Sequence, residues 1–165
     1  FSFFLCYNMA MYTNTLVFIN IASHIVMINR NKAPWMGMWN GLGGKIQEDE
    51  TPKQSIQREI QEELGVHISL HDILERGILT WNMFEADGQG IHLFYVELDQ
   101  LDLAFPIQMD EGIIDLKRID WITHLNNKGV APNIKYFLPQ LISSKIHVHC
   151  HFENEQLKEV VVKPL

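Results

Sequence analysis

Two short apolar runs, Asn14 to Asn20 and His24 to Ile28, predict a pair of strands with a tight connection around Ala22-Ser23. A polar loop punctuated by Pro34 and Gly37 follows from Asn29 to Gly37. Ile73 to Met83 and Ile91 to Leu98 alternate enough to be strands, joined by the turn-rich segment Glu85 to Gly90. A further strand is expected near Ile113 to Ile119, after Asp110-Glu111-Gly112. Ile134 to Ile142 reads as a short helix with Pro139 as a candidate break, and Lys145 to Phe152 and Glu159 to Val162 read as closing strands. Strands around a central helix, with a second helix late, predict an α/β protein: a mixed sheet with helices packed on it. No repeat, low-complexity tract or linker divides residues 11–165, so one domain is expected there.

The central helix carries the clearest local signals. Thr51 is placed as N-cap, Pro52 at the first helical position and Gln54 as the closing residue of a capping box. Gly65 falls just past the helix end, where positive φ suits glycine. At about 100° per residue, Glu59, Glu62 and Glu63 lie within about 100° of one another, on one face. Ile56, Ile60 and Leu64 form a separate apolar stripe beside them. Three carboxylates so close repel one another, and the plain reading is a solvated acidic face partly neutralised by Arg58. The chemical reading is a site for a hard divalent cation, Mg2+ or Mn2+, whose preferred ligands are carboxylate and phosphate oxygens. Glu50, in the loop before the helix, is positioned to ligand through water or to pair with Arg58. The Arg58 fork fits the orienting of carboxylates better than it fits a substrate contact.

Composition narrows the partners. The chain has 165 residues, 47% hydrophobic and 20% charged, which suits a globular domain with a sizeable core. A net charge of −7 disfavours tracking a nucleic-acid backbone but leaves open a free nucleotide whose phosphates arrive with metal. Two cysteines, Cys6 and Cys150, far apart, imply no disulfide framework and a reducing cytoplasm as the default location. No segment reaches the ~20 apolar residues of a membrane helix. Residues 1–10 lack a basic signal-peptide start and are expected to be a tail, disordered or of cloning origin, preceding a native start at Met9 or Met11. A monomer and a homodimer both remain open.

From Gly44 to Val66 the chain reads GKIQEDETPKQSIQREIQEELGV. Gly44, Glu50, Arg58-Glu59, Glu62-Glu63 and Gly65, with Ile60 and Val66 at the aliphatic positions, match G-x5-E-x7-R-E-U-x-E-E-x-G-U, where U is aliphatic. Chance meets that pattern about once in 10^9 start positions. The segment resembles the Nudix box at every defining position. The resemblance implies the Nudix α/β/α sandwich and hydrolysis of a nucleoside diphosphate linked to another group. It implies that Glu59, Glu62 and Glu63 hold the divalent ions, with one or more carboxylates taking a proton from the attacking water, and Arg58 beside them. Gly43-Gly44 would let backbone groups approach the metal–phosphate assembly, with a strand bulge as the plainer reading. Lys45 is placed to meet a phosphate or simply to be solvated. Family enzymes often add a carboxylate from a loop across the site, for which Glu111 is the candidate and Asp110 its alternative.

Outside the box, Trp39-Asn40-Gly41-Leu42-Gly43-Gly44-Lys45 and Tyr136-Phe137-Leu138-Pro139 resemble the MutT/MTH-type oxidised-purine nucleoside triphosphate diphosphatases. That likeness implies Asn40 as a base-reading residue, with Thr15 and Leu16 near the same pocket. Trp35 or Trp81 would stack on the base, or simply be core tryptophans. One departure concerns the paired aspartates that read an oxidised purine in that group. Asn133 and Ile134 stand in their place, after Ala131 where the group has tryptophan. Asn133 can still bond a base and Ile134 cannot, so the oxidised base is left open. ADP-ribose, dinucleoside polyphosphates and nucleotide sugars stay as alternative substrates, and a non-catalytic nucleotide-binding regulator as the alternative class. His147, His149 and His151 share one strand face, a spacing open to zinc, although with no second motif nearby a structural histidine strand is the plainer reading.

Overall fold

In the computed structural model, which describes residues 12–82 and 90–165, Ala22 and Ser23 both take left-handed backbone (φ 48° and 64°). Such a two-residue turn matches the twist of the strands it joins, and it folds β1 (Asn14–Ile21) back on β2 (His24–Arg30) with Ile21 opposite His24. The remaining strands are β3 (Trp39–Asn40), β4 (Leu74–Trp81), β5 (Gly90–Leu98), β6 (Ile107–Met109), β7 (Gly112–Arg118), β8 (Ile146–Glu153) and β9 (Gln156–Pro164). The helices are α1 (Pro52–Leu64), α2 (Ile119–Ile122) and α3 (Ile134–Ser143). Among the described residues nine strands form one mixed sheet in the order β6-β7-β2-β1-β5-β4-β8-β9, with β3 paired to β2. The β1–β5 and β4–β8 pairs are parallel and the others antiparallel.

The central strands are apolar on both faces because both faces are covered. On one, Val17 and Ile19 of β1, Val26 and Ile28 of β2 and Phe94 and Val96 of β5 pack with Ile56, Ile60 and Leu64 of α1. On the other, Phe18, Ile25, Met27, Leu93 and Tyr95 pack with Ile134, Phe137, Leu138 and Leu141 of α3. This is the expected α/β/α sandwich. No described helix is long and apolar enough to cross a membrane.

Several expectations change in detail. Pro139 lies inside α3 and does not break it. An interior proline costs about 3 kcal/mol, whereas each of the four buried apolar side chains on the stripe contributes about 1.5–3 kcal/mol. The last strand is longer than Glu159 to Val162, since pairing along β8 carries it from Gln156 to Pro164. The strand expected to reach Ile119 ends at Arg118, where the chain turns into α2. β6 has no counterpart in the sequence reading. Met83, most of the Glu85 to Gly90 turn, Cys6 and the residue 1–10 tail lie outside the described residues. Cys150 is a free, buried thiol.

Candidate active site

The capping box forms as its residue types require: Thr51 Oγ1 accepts the Gln54 amide at 3.1 Å, and Gln54 Oε1 accepts the Thr51 amide at 2.9 Å. Gly65, at φ 68°, closes the helix by donating to Gln61 O. With the apolar stripe of α1 seated on the sheet, the acidic face is held at the edge of the core. Glu62 is exposed (side chain 56%), Glu59 mostly buried (13%), and the Glu63 carboxyl is buried deeply enough to leave its Oε2 shielded from solvent.

Arg58 ties these groups together. Its Nε and Nη2 donate to the two oxygens of Glu50 at 2.5 and 3.1 Å, and its Nη1 donates to Glu59 Oε1 at 2.8 Å and Glu62 Oε2 at 3.2 Å. Nη2 also reaches Lys45 O at 3.1 Å, fastening the helix to the glycine turn. The hydrogen bond from Arg58 holds the Glu50 carboxyl below the ordinary carboxylate range, and those carboxylates in turn raise Arg58. Burial pushes Glu59 up despite Arg58. Burial pushes Glu63 up to about 8, reinforced by the charges of Glu59, Glu111 and Glu62 and opposed by Arg30.

The glycine turn fits beneath. Gly44 O accepts the Thr15 amide at 2.9 Å and the Thr15 hydroxyl at 3.2 Å. A Cβ on Gly44 would sit 2.3 Å from Glu59 Oε1, and one on Gly43 would sit 2.0 Å from Thr15 O. At Gly43 close approach to backbone demands glycine, whereas at Gly44 a side chain would displace the Glu59 carboxylate. Opposite α1, the β6–β7 turn carries Met109, Asp110 and Glu111, which with Glu59, Glu62 and Glu63 line a cleft of about 390 Å³. Asn31 anchors that turn: its amide donates to Glu111 O at 3.1 Å and its Nδ2 to Asp110 O at 2.6 Å.

Whether a divalent cation suits this cleft is answered by Glu63. Its Oε2 is buried and accepts no hydrogen bond, among three other carboxylates and with Arg30 as the opposing charge. A buried acceptor left in that state is destabilising unless a cation or proton meets it. Among the described residues no three side chains of His, Cys, Asp or Glu are grouped so as to hold a metal ion among them. An open site of one or two carboxylates, completed by substrate phosphates and water, is the arrangement Mg2+ adopts.

The structure thus brings Glu59, Glu62, Glu63 and Glu111 together in one cleft, with Arg58 and Glu50 bonded to that set, Gly44 against Glu59, and Thr15 and Gly43 packed at the glycine turn. Lys45 contributes its backbone carbonyl, and its side chain is exposed. The other candidates lie apart. Asn40 Oδ1 accepts the Gly41 amide at 2.8 Å. Asn133 is buried at the start of α3, on the sheet face away from α1, and its Nδ2 donates to Cys150 Sγ at 3.8 Å. Leu16, Trp35, Trp39, Trp81 and Phe152 pack partly buried against that same face, with the Trp35 and Phe152 rings 6.1 Å apart. His147 Nε2 and His149 Nδ1 each lie 2.8 Å from Thr80 Oγ1, and His151 pairs with Glu153. Sequence reasoning missed Arg30 and Asn31. No motif marks them, because the pairing of β2 with β7, where Arg30 lies opposite Gly112, is what brings the Arg30 charge within range of Glu63 and Asn31 onto the β6–β7 turn. The Arg30 guanidinium itself donates to Pro34 O and Ala33 O.

The comparisons agree with this geometry. The NUDIX domain family matches residues 12–141. An oxidized purine nucleoside triphosphate hydrolase from Danio rerio is 37% identical over 107 residues, covering 64% of this chain and 67% of the relative. Its namesake from Mus musculus is 30% identical over 107 residues, covering 54% and 69%. In fold, a MutT protein from Bacillus halodurans superposes with a TM-score of 0.68 over 90% of this chain and 95% of its own, at 19% identity. Box, fold and family match coincide on the same residues, and the chain belongs to the Nudix hydrolases.

Proposed function

We propose that this enzyme hydrolyses a purine nucleoside triphosphate, oxidised purines such as 8-oxo-dGTP included, to the monophosphate and pyrophosphate, with Mg2+ or Mn2+ as cofactor. The observation that carries the reading is the buried, unpartnered Glu63 oxygen in a cleft lined by five carboxylates and Met109. Glu59, Glu62 and Glu63, with the Gly43 carbonyl and Glu111 across the cleft, are the candidate ligands, any one cation taking one or two of these carboxylates and completing its shell with phosphate oxygens and water. When bound, it neutralises phosphate charge and aligns water with the scissile bond. Arg58 keeps Glu59 and Glu62 in place while its fork is anchored on Glu50. Water attacks phosphorus, the bond to the pyrophosphate oxygen breaks, and a carboxylate accepts the water proton. Glu63 and Glu111 have oxygens not committed to Arg58 and suit that role.

The purine preference rests on the likeness to the oxidized purine nucleoside triphosphate hydrolases of Danio rerio and Mus musculus. Asn40 and Asn133 are the base-reading residues in this reading, with Thr15 near the base pocket, and Lys45 would meet a phosphate. The complete carboxylate set argues against a regulator that only binds, since sensing requires no such cluster. Turnover across dNTPs, 8-oxo-dGTP, ADP-ribose and diadenosine tetraphosphate, with products separated by chromatography, tests the reading. Monophosphate and pyrophosphate from a purine triphosphate are expected. Preference for ADP-ribose or the dinucleotide would overturn the base assignment, and tight binding without turnover would favour the regulator.

A further inference from the structure

The sheet ends on β9, whose outer edge pairs with no other described strand. A nine-residue edge is a template for strand addition, and natural edges carry lysine or proline against indiscriminate pairing. β9 has both, in Lys158, Lys163 and Pro164, yet its middle is Val160-Val161-Val162, only partly buried. Val160 and Val162 belong to the α3 face of the sheet, whereas Glu159, Val161 and Lys163 lie opposite His151, His149 and His147 on the other.

We infer that β9 is a self-complementary edge through which two copies of this chain pair, antiparallel about a two-fold axis at Val161. That register sets Val161 opposite Val161 of the second copy. It also sets Val160 opposite Val162 and Glu159 opposite Lys163, each twice by symmetry. Neighbouring registers lose this match. An axis between Val160 and Val161 opposes Lys158 to Lys163. An axis at Val160 opposes Lys163 to Leu157 and Glu159 to Val161, and one at Val162 opposes Lys163 to Val161 and Pro164 to Val160. Opposed charges and valine pairs on directly facing positions stabilise a ladder, and like charges there destabilise it. Because the contact is isologous, the dimer consumes both β9 edges and closes. It extends the sheet across the two copies and leaves the carboxylate cleft, at α1 and the β6–β7 turn, untouched.

Sedimentation velocity of the full chain, loaded from about 5 to about 500 µM, tests this, since strand pairing alone is a small interface. A reversible monomer–dimer equilibrium is expected. Lys163→Glu and Glu159→Lys should each weaken it by about tenfold or more, and mixing the two variants should restore it as a heterodimer. Lys158→Glu changes net charge equally but faces Pro164, and should leave the dimer intact. Thermal melts and triphosphate turnover should be unchanged in all three variants, which shows that they fold. A monomer throughout the range, a dimer indifferent to Lys163→Glu, or equal weakening by Lys158→Glu would each overturn the pairing.

Discussion

Gly44 and Glu59 meet so closely that a single methyl group separates the working arrangement from a disturbed one. In Gly44→Ala the added Cβ would press on Glu59 Oε1, the far end of a flexible side chain, so Glu59 can swing away at a modest stability loss of about 1 kcal/mol. The carboxylate then leaves its place beside Arg58. Turnover should fall at least about 100-fold while the melting temperature moves by a few degrees, a contrast that parallel kinetics and calorimetry will show. Gly43→Ala differs, because its Cβ would meet the Thr15 backbone, which cannot swing, and folding itself should suffer. Arg58→Lys keeps the charge but loses the two-pronged bond to Glu50 and the bridge to Glu59 and Glu62. About 1–3 kcal/mol of stability should be lost in urea denaturation, with a larger proportional loss in turnover. Unchanged turnover in either Gly44→Ala or Arg58→Lys would show that Glu59 need not be held where it is.

At the scale of elements, what could be read in the chain was what the chain encodes locally. Thr51, Pro52, Gln54 and Gly65 specify the ends of α1 within a few residues of each, and its acidic and apolar faces follow from spacing alone. β6 is three residues long, and its pairing with β7 defines it, so Ile107-Gln108-Met109 carries no signal of its own. The same holds at the site: Glu63 and Glu59 were legible, but Arg30 and Asn31 depend on which strand lies beside β2. The burial of Asn133 against Cys150 depends on where α3 meets β8. β8 carries its own test. Burial, then the charges of His149 and Lys163, hold the His147 imidazole below its ordinary value of 6.5, with Thr80 as its hydrogen-bond partner. The folded state therefore favours neutral His147. Its contribution to stability is full above pH 6.5 and is lost as pH falls through the depressed folded value. Unfolding free energy should decline more steeply below pH 6.5 in the wild type than in His147→Gln, as urea titrations at several pH values will show. Parallel declines would remove His147 from the account.

Across the whole molecule, one sheet serves two faces: α1 brings carboxylates to one and α3 closes the other over Asn133 and the aromatic side chains. The carboxylate face carries an unrelieved buried acceptor, so a divalent cation should stabilise the fold as well as enable chemistry. Adding Mg2+ in excess is expected to raise the melting temperature of the wild type by several degrees near pH 8, and to do so much less in Glu63→Gln. Equal shifts in both proteins would place the cation elsewhere. The most direct test of the central claim is turnover of the preferred triphosphate as a function of Mg2+ concentration in the wild type and in Glu62→Gln. Activity should be absent without the cation, saturate with it, and fall by about three orders of magnitude or more in the variant. Cation-independent turnover, or a Glu62→Gln enzyme as fast as the wild type, would contradict hydrolysis at this cleft.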